Sequence, residues 1–296
     1  MAVYRQYILI LVTSLYLLSF TGIHVHKSYA QTPVIKSHEQ GYINWTTQAV
    51  ISTGIGVPSE KYHGMPIGRK LAEEKALKRA FENLFQTVFL VQIDANICAN
   101  DAQKNNPNWQ TQIQQMTEAA RVLKKEYLSD GTVEITVQMS MNGGFSQLAL
   151  PDEIRYIESI GTIISQNPVN WPKKQKEPEN EYTGLVVDAR GLRLTPCLAP
   201  VILGKNQDEV YGPKYISREY AVQYGVCVYM NSLEGAIKHQ RVGSHPFVAK
   251  GIGTEGKSLT NIVISNTESA RFKSSVAHLT ILKHCRVIIV VDPVWR

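Results

Sequence analysis

With 296 residues, 44% of them hydrophobic and 19% charged, the chain has material for about two folded domains and too many apolar side chains to stay disordered. The formal charge of +6 is modest and forms no basic block interleaved with aromatics, so it reads as solvated surface and nucleic acid is excluded as a partner. The wide spacing of Cys98, Cys197, Cys227 and Cys285 excludes a close-set zinc motif.

The first thirty residues read as a secretion signal. Arg5 supplies the positive end, Tyr7 to Ile23 form an apolar run, and Ser28-Tyr29-Ala30 is small at the two positions a signal peptidase reads. Cleavage is expected between Ala30 and Gln31; the alternative is an uncleaved anchor, for which the run is at the lower limit of roughly 17 residues. No cysteine follows the run, so the acceptor site of a lipoprotein is missing. The expected location is the periplasm, with membrane contact no more than peripheral.

Asn44 to Ile55 alternates, with Trp45, Ala49, Ile51 and Ile55 on one face and Asn44, Gln48 and Ser52 on the other, which predicts one half-buried strand. Pro66 then opens a long helix. Ile67, Leu71, Leu77, Phe81, Leu84, Phe85 and Val88 mark its expected core face, and Arg69, Glu73, Lys78 and Glu82 its wet face. A polar loop follows around Ala99 to Trp109. Arg121 to Leu128 and Thr132 to Met139 flank Ser129-Asp130-Gly131, and the clean alternation of Val133, Ile135, Val137 and Met139 predicts a hairpin. The order strand, helix, strand, strand suggests one helix across a small antiparallel sheet. A short helix is expected over residues 152–165.

Residues 167–181, rich in Pro, Lys and Glu, read as a linker. Beyond it, Leu185 to Val187, Asn261 to Ser265 and Arg286 to Val291 are apolar runs of the buried-strand type, with shorter strands near Val201, Val226 to Tyr229 and Phe247 to Ala249. Asn266 is placed to cap a helix from Thr267 to about His278, giving a βαβ unit with a right-handed crossover. The fold class is therefore α+β. The predicted division is a signal (1–30), a strand-helix-strand-strand domain (39–166), the linker (167–181) and a mixed α/β domain (182–296).

One chemical motif matches to the letter. Gly251-Ile252-Gly253-Thr254-Glu255-Gly256-Lys257-Ser258 fits the phosphate-cradling P-loop, and an apolar strand ending in Asp292 follows. A P-loop needs a helix starting at its Gly-Lys, whereas Leu259 to Ser265 reads as strand, so a Gly-rich turn is expected and no nucleotide or other cofactor. Gly54-Ile55-Gly56 reads as a strand end. Gly243-Ser244-His245 sets a Ser beside a His without facing them, and the histidines show no metal spacing. Asp188 and Arg190 at a strand end are expected to form an ion pair. An oxidising compartment permits a disulfide such as Cys197 to Cys285; buried free thiols are the alternative, since Cys227 and Cys285 sit in or beside apolar strands. No catalytic or metal-binding residues are assigned.

Ile43-Asn44-Trp45-Thr46, Ala49 to Gly56 and the Ala-rich stretch Arg69 to Leu84 resemble the twenty-kilodalton outer-membrane lipoprotein family, which includes flagellar assembly lipoproteins. Tyr182 to Leu192, Val210-Tyr211-Gly212, Ser217 to Ala221 and Cys285 to Asp292 are similar to the second half of its long members. The resemblance implies a non-enzymatic envelope protein working in assembly or scaffolding, in some members around the flagellar motor, with envelope or flagellar proteins and copies of itself as partners. The rival expectation is an exported enzyme or ligand-binding protein using Asp188, Arg190 and the 251–258 loop.

Overall fold

A computed structural model describes residues 32–154, 181–275 and 277–292. The expected signal with its cleavage point between Ala30 and Gln31, the predicted helix beyond Ile154 and nearly all of the 167–181 linker lie outside the described residues. The protein is α+β, built on two sheets.

The N-terminal sheet is antiparallel and holds β1 (Ile35–His38), β2 (Gly41–Asn44), β3 (Ala49–Gly56), β4 (Arg121–Tyr127) and β5 (Val133–Ser140) in the order β1-β2-β3-β5-β4. The run predicted as one strand over 44–55 is in fact a corner. The chain reverses over Trp45–Gln48, with Gln48 at φ 52°, and β2 and β3 pair antiparallel. Sequence pattern missed the turn because it carries neither Gly nor Pro. The predicted hairpin is present as β4 and β5, closed where Asp130 Oδ1 accepts from Thr132 N and Gly131 sits at φ 85°.

Helix α1 (Pro66–Val88) lies across this sheet; of its predicted core face Leu84 and Val88 are buried and Leu77, Phe81 and Phe85 pack against the core, but the stripe that meets the sheet is centred on alanines. Its buried residues are Gly68, Ala72, Ala76, Ala80, Leu84, Thr87 and Val88, whereas Ile67 and Leu71 are exposed. The reason is proximity. Gly54 and Gly56 of β3 present bare backbone, and a Cβ at either would overlap main-chain atoms of Ala72, Ala76 or Ala80. Ser52 Oγ donates to Ala80 O at 2.7 Å. Beyond Ser52, where β2 ends, the outward carbonyls of Thr53 and Ile55 accept from Asn83 Nδ2 and Arg79 Nη1, each at 2.8 Å. These bonds satisfy backbone that would otherwise lie unpaired beside the helix. Short α2 (Ala99–Ala102) and α3 (Trp109–Glu118) follow; α3 buries Trp109, Ile113 and Thr117 at four-residue spacing.

After α4 (Gly144–Ala149), the second sheet holds β6 (Leu185–Asp188), β7 (Ile202–Gly204), β8 (Glu209–Tyr211), β9 (Val228–Met230), β10 (Phe247–Glu255), β11 (Asn261–Ile264) and β12 (Val287–Val290), in the order β8-β7-β11-β10-β6-β12-β9. β6 and β12 are buried throughout, as their unbroken apolar runs require. Strands β9, β12, β6 and β10 run parallel.

The helices here are α5 (Arg218–Tyr224), α6 (Leu233–Ile237), α7 (Asn266–Lys273) and α8 (His278–Lys283). The predicted βαβ unit is corrected on three points. The cap is Ser265, in a capping box with Glu268, and not Asn266; the single helix is two, α7 and α8; and β11 runs antiparallel to β12, with β10 and β6 between them. No right-handed parallel crossover therefore applies to this segment.

The described residues of the halves predicted as separate domains belong to one compact unit. Trp45 meets Tyr229 edge to face at 5.8 Å, and Thr46 Oγ1 donates to Tyr229 O at 2.9 Å. Gln48 Nε2 donates to Cys227 O. Main-chain bonds join Gly143 N to Val222 O (2.7 Å) and Ala199 N to Ile93 O (2.8 Å). Arg218, 8% exposed, reaches from α5 to the end of α4 and donates to the carbonyls of Gln147, Leu150, Pro151 and Ile154 at 2.8 to 3.3 Å.

Candidate functional site

The parallel strands β6 and β12 end together, level with the point where β10 stops pairing with β6 and runs on into its hairpin with β11, and open sheets of this kind place ligands at such carboxyl ends. Asp188 closes β6 and lies in register with Lys250 of β10 and Val290 of β12; Asp292 follows two residues on. The chain turns after Asp188 through Gly191, φ 82°, which brings Arg190 back over the carboxylate. Arg190 Nε and Nη2 donate to the two Asp188 oxygens at 2.8 and 2.9 Å, the expected ion pair in two-pronged form. Arg190 N and Lys250 Nζ add bonds at 3.2 Å each. Asp292 accepts from Gly191 N at 2.8 Å, and Glu268 from Lys250 N at 2.9 Å.

This constellation draws charge from four segments and then spends it internally. The Arg190 guanidinium, aided by Lys250, holds Asp188 down to about 2, so at neutral pH it is ionised, accepts from donors on both oxygens and is a poor base. His284 is driven the same way by a different cause: burial lowers it from 6.5 to about 4. Stability should therefore fall in two stages on acidification. Between about 6.5 and 4 the unfolded chain takes up the His284 proton first, and from about 4 to 2 the Asp188 contribution fades. Urea midpoints measured from pH 7 to pH 2 check this, and Asp188→Asn should shrink the second stage, to which Asp101, Asp130 and Asp208 also contribute, and leave the first unchanged.

The 251–258 motif is a hairpin. Gly251 and Gly253 belong to β10, which has a bulge between them; Gly256 (φ 86°) and Leu259 (φ 54°) make the turn, and β11 follows. No helix begins at Lys257. The Ser258 amide, one of those a phosphate would need, instead donates to Ala95 O at 3.1 Å, and its hydroxyl accepts from Gln92 Nε2 at 3.0 Å. A Cβ at Gly256 would press on Ala95. Gly256 thus serves a close pass between the halves.

The structure does not gather the remaining sequence-selected residues. His245 stacks on Tyr182 at 5.6 Å, with its amide on Thr183 Oγ1, and His278 lies against Phe272. Among the described residues there is no group of three His, Cys, Asp or Glu able to hold a metal, and no helix is long and apolar enough to cross a membrane. All four cysteines are free, so the Cys197 to Cys285 bridge is not formed. Cys197 sits in the core beside Tyr229, whose hydroxyl bonds its main chain, while Cys285 is buried elsewhere in the same core. Burial raises the thiols, Cys285 to about 11 and Cys227 to about 12. In the native protein one thiol, Cys98, should react promptly with a disulfide reagent, and all four only after denaturation.

Sequence reading found the strand over Arg121 to Leu128 but did not place it at the edge of the N-terminal sheet. β4 is seven residues long, exposed along nearly its whole length and last in its sheet. Leu123 and Tyr127 on it are 45% and 50% exposed, and Ile55, Val57, Ile67 and Leu71 are exposed elsewhere on the same half. On the helix side of β4, Lys125 and Tyr127 both reach Glu73 of α1, at 2.5 and 3.2 Å. The signal that could have found it is the seven-residue run itself, whose alternation lacks the apolar face seen in β5.

Fold and sites together define an α+β protein of two packed sheets, with a self-paired polar cluster at the parallel strand ends and an open strand at one sheet edge. Residues 184–293 match the family model described as Treponema pallidum Tp0624, second domain. No curated protein matches the chain.

Proposed function

We propose that the chain is an exported, non-enzymatic cell-envelope protein that acts in assembly or scaffolding, through contacts with copies of itself and with other envelope proteins. The family resemblance of its N-terminal half suggests the flagellar motor as one setting. The observation that carries the reading is the contrast between two places. The ionisable groups at the strand ends are bonded to one another, whereas the long edge strand β4 pairs with β5 on one side and has no strand on its outer edge among the described residues. An unpaired edge can accept another strand, which is a property of assembling proteins.

Cell fractionation with N-terminal sequencing tests the exported part: the mature chain should begin at Gln31 in the periplasmic fraction, and recovery only from the cytosol would overturn it. Sedimentation of the chain from Gln31 on tests the assembly part, with oligomers expected. A strict monomer at high concentration would sink homo-oligomeric scaffolding.

A further inference from the structure

We infer that the molecule pairs with a second copy of itself edge to edge through β4, in the antiparallel register that sets Lys125 opposite its own counterpart. The inference rests on the assembly reading and names the surface that it leaves open.

Edge strands are ordinarily protected by lysines and bulges, and β4 has both: Arg121, Lys124 and Lys125, and a register shift between Val122 and Lys124. The charges are nevertheless arranged to fit one partner. A twofold axis normal to the sheet keeps each side chain on its own face, so it allows only registers in which some residue faces its own counterpart. Centring on Lys124 sets Lys124 on Lys124 and Leu123 on Lys125. A register centred on Glu126 opposes the two glutamates, and one centred on Leu123 falls on the bulge, which leaves Arg121 and Lys125 on opposite faces.

Centring on Lys125 differs from all three. On the outer face Lys124 meets Glu126 of the second copy, and Glu126 meets its Lys124, giving two opposite-charge pairs. Those two side chains already share a face and approach to 2.7 Å within one chain. On the helix face Leu123 meets Tyr127 of the second copy, twice over, covering two of the exposed apolar side chains on this half. The two Lys125 residues at the axis each arrive neutralised, bonded to Glu73 at 2.5 Å. The result joins two five-stranded sheets into one continuous sheet.

Sedimentation velocity of the chain from Gln31 on, with charge variants at two exposed positions, tests the register. Lys124→Glu alone and Glu126→Lys alone should each weaken dimerisation by about tenfold or more, since each sets like charges opposite one another twice. The double swap Lys124→Glu/Glu126→Lys should restore it. In a Cys98→Ser background, Lys125→Cys should oxidise to a covalent dimer, because only that residue lies across from itself, while Lys124→Cys should not. A chain that associates but ignores all of these changes overturns the β4 pairing and leaves the assembly reading standing. A chain that stays monomeric throughout overturns both.

Discussion

Valine at Gly54 should lift helix α1 from the sheet and cost the fold roughly 3 kcal/mol or more, at the severe end of overpacking changes. A side chain there would run into the carbonyl of Ala76 and the amide of Ala80. Those are main-chain atoms, which cannot rotate aside as a side chain would. The urea midpoint should drop with little change in slope. Trimming Ala76 or Ala80 to glycine should give no rescue, because the obstruction is not their methyl groups. A Gly54→Val protein as stable as the parent would mean that the Ala72, Ala76, Ala80 stripe does not press on β3.

The second large effect is expected at Arg218. Its guanidinium takes up four carbonyls, those of Gln147 and Leu150 at the end of α4, where a helix leaves carbonyls without internal partners, and those of Pro151 and Ile154 just beyond, the first of which also accepts from Ile154 N. Its positive charge also suits the negative end of that helix. Arg218→Met keeps much of the apolar stem but strands those acceptors away from water, at a cost of about 3 kcal/mol or more. Arg218→Lys should recover only part, since one ammonium cannot fork to four oxygens. Thermal and urea unfolding of the three proteins would check the order Arg, Lys, Met; a Met variant equal to the parent would deny the clamp its role.

How far the sequence disclosed this architecture depended on the size of the side chains involved. Val133, Ile135, Val137 and Met139 alternate so cleanly that β5 and its hairpin could be read directly, and the apolar runs of β6 and β12 announced buried strands. The contact face of α1 was hidden because alanines make it, while larger residues such as Leu71 and Ile67 stay at the surface. Hydrophobicity found the Leu84 and Val88 side of the helix but passed over the alanines that two glycines bring against the sheet. The Asp188–Arg190 pair was legible from its spacing, yet Lys250 and Asp292 joined it only through strand pairing that no local pattern reveals. The bonds of Arg218, Gln48 and Tyr229 span tens of residues or more, and sequence offers no sign of them.

The joint built from Trp45, Tyr229 and Arg218 bears on how the molecule can be divided. The stretch that matches the Treponema family model begins at Gly184, so it carries Tyr229 and Arg218 but omits Trp45, Thr46 and the carbonyls beyond α4 that they meet in the N-terminal half. Excised at that boundary, the piece would present a greasy ring and a stranded cation to solvent, and clumping would be its natural fate. Fragments meant for crystallisation or pull-downs are better cut upstream of Ile35, so that the indole and the helix end travel with the surfaces they cover.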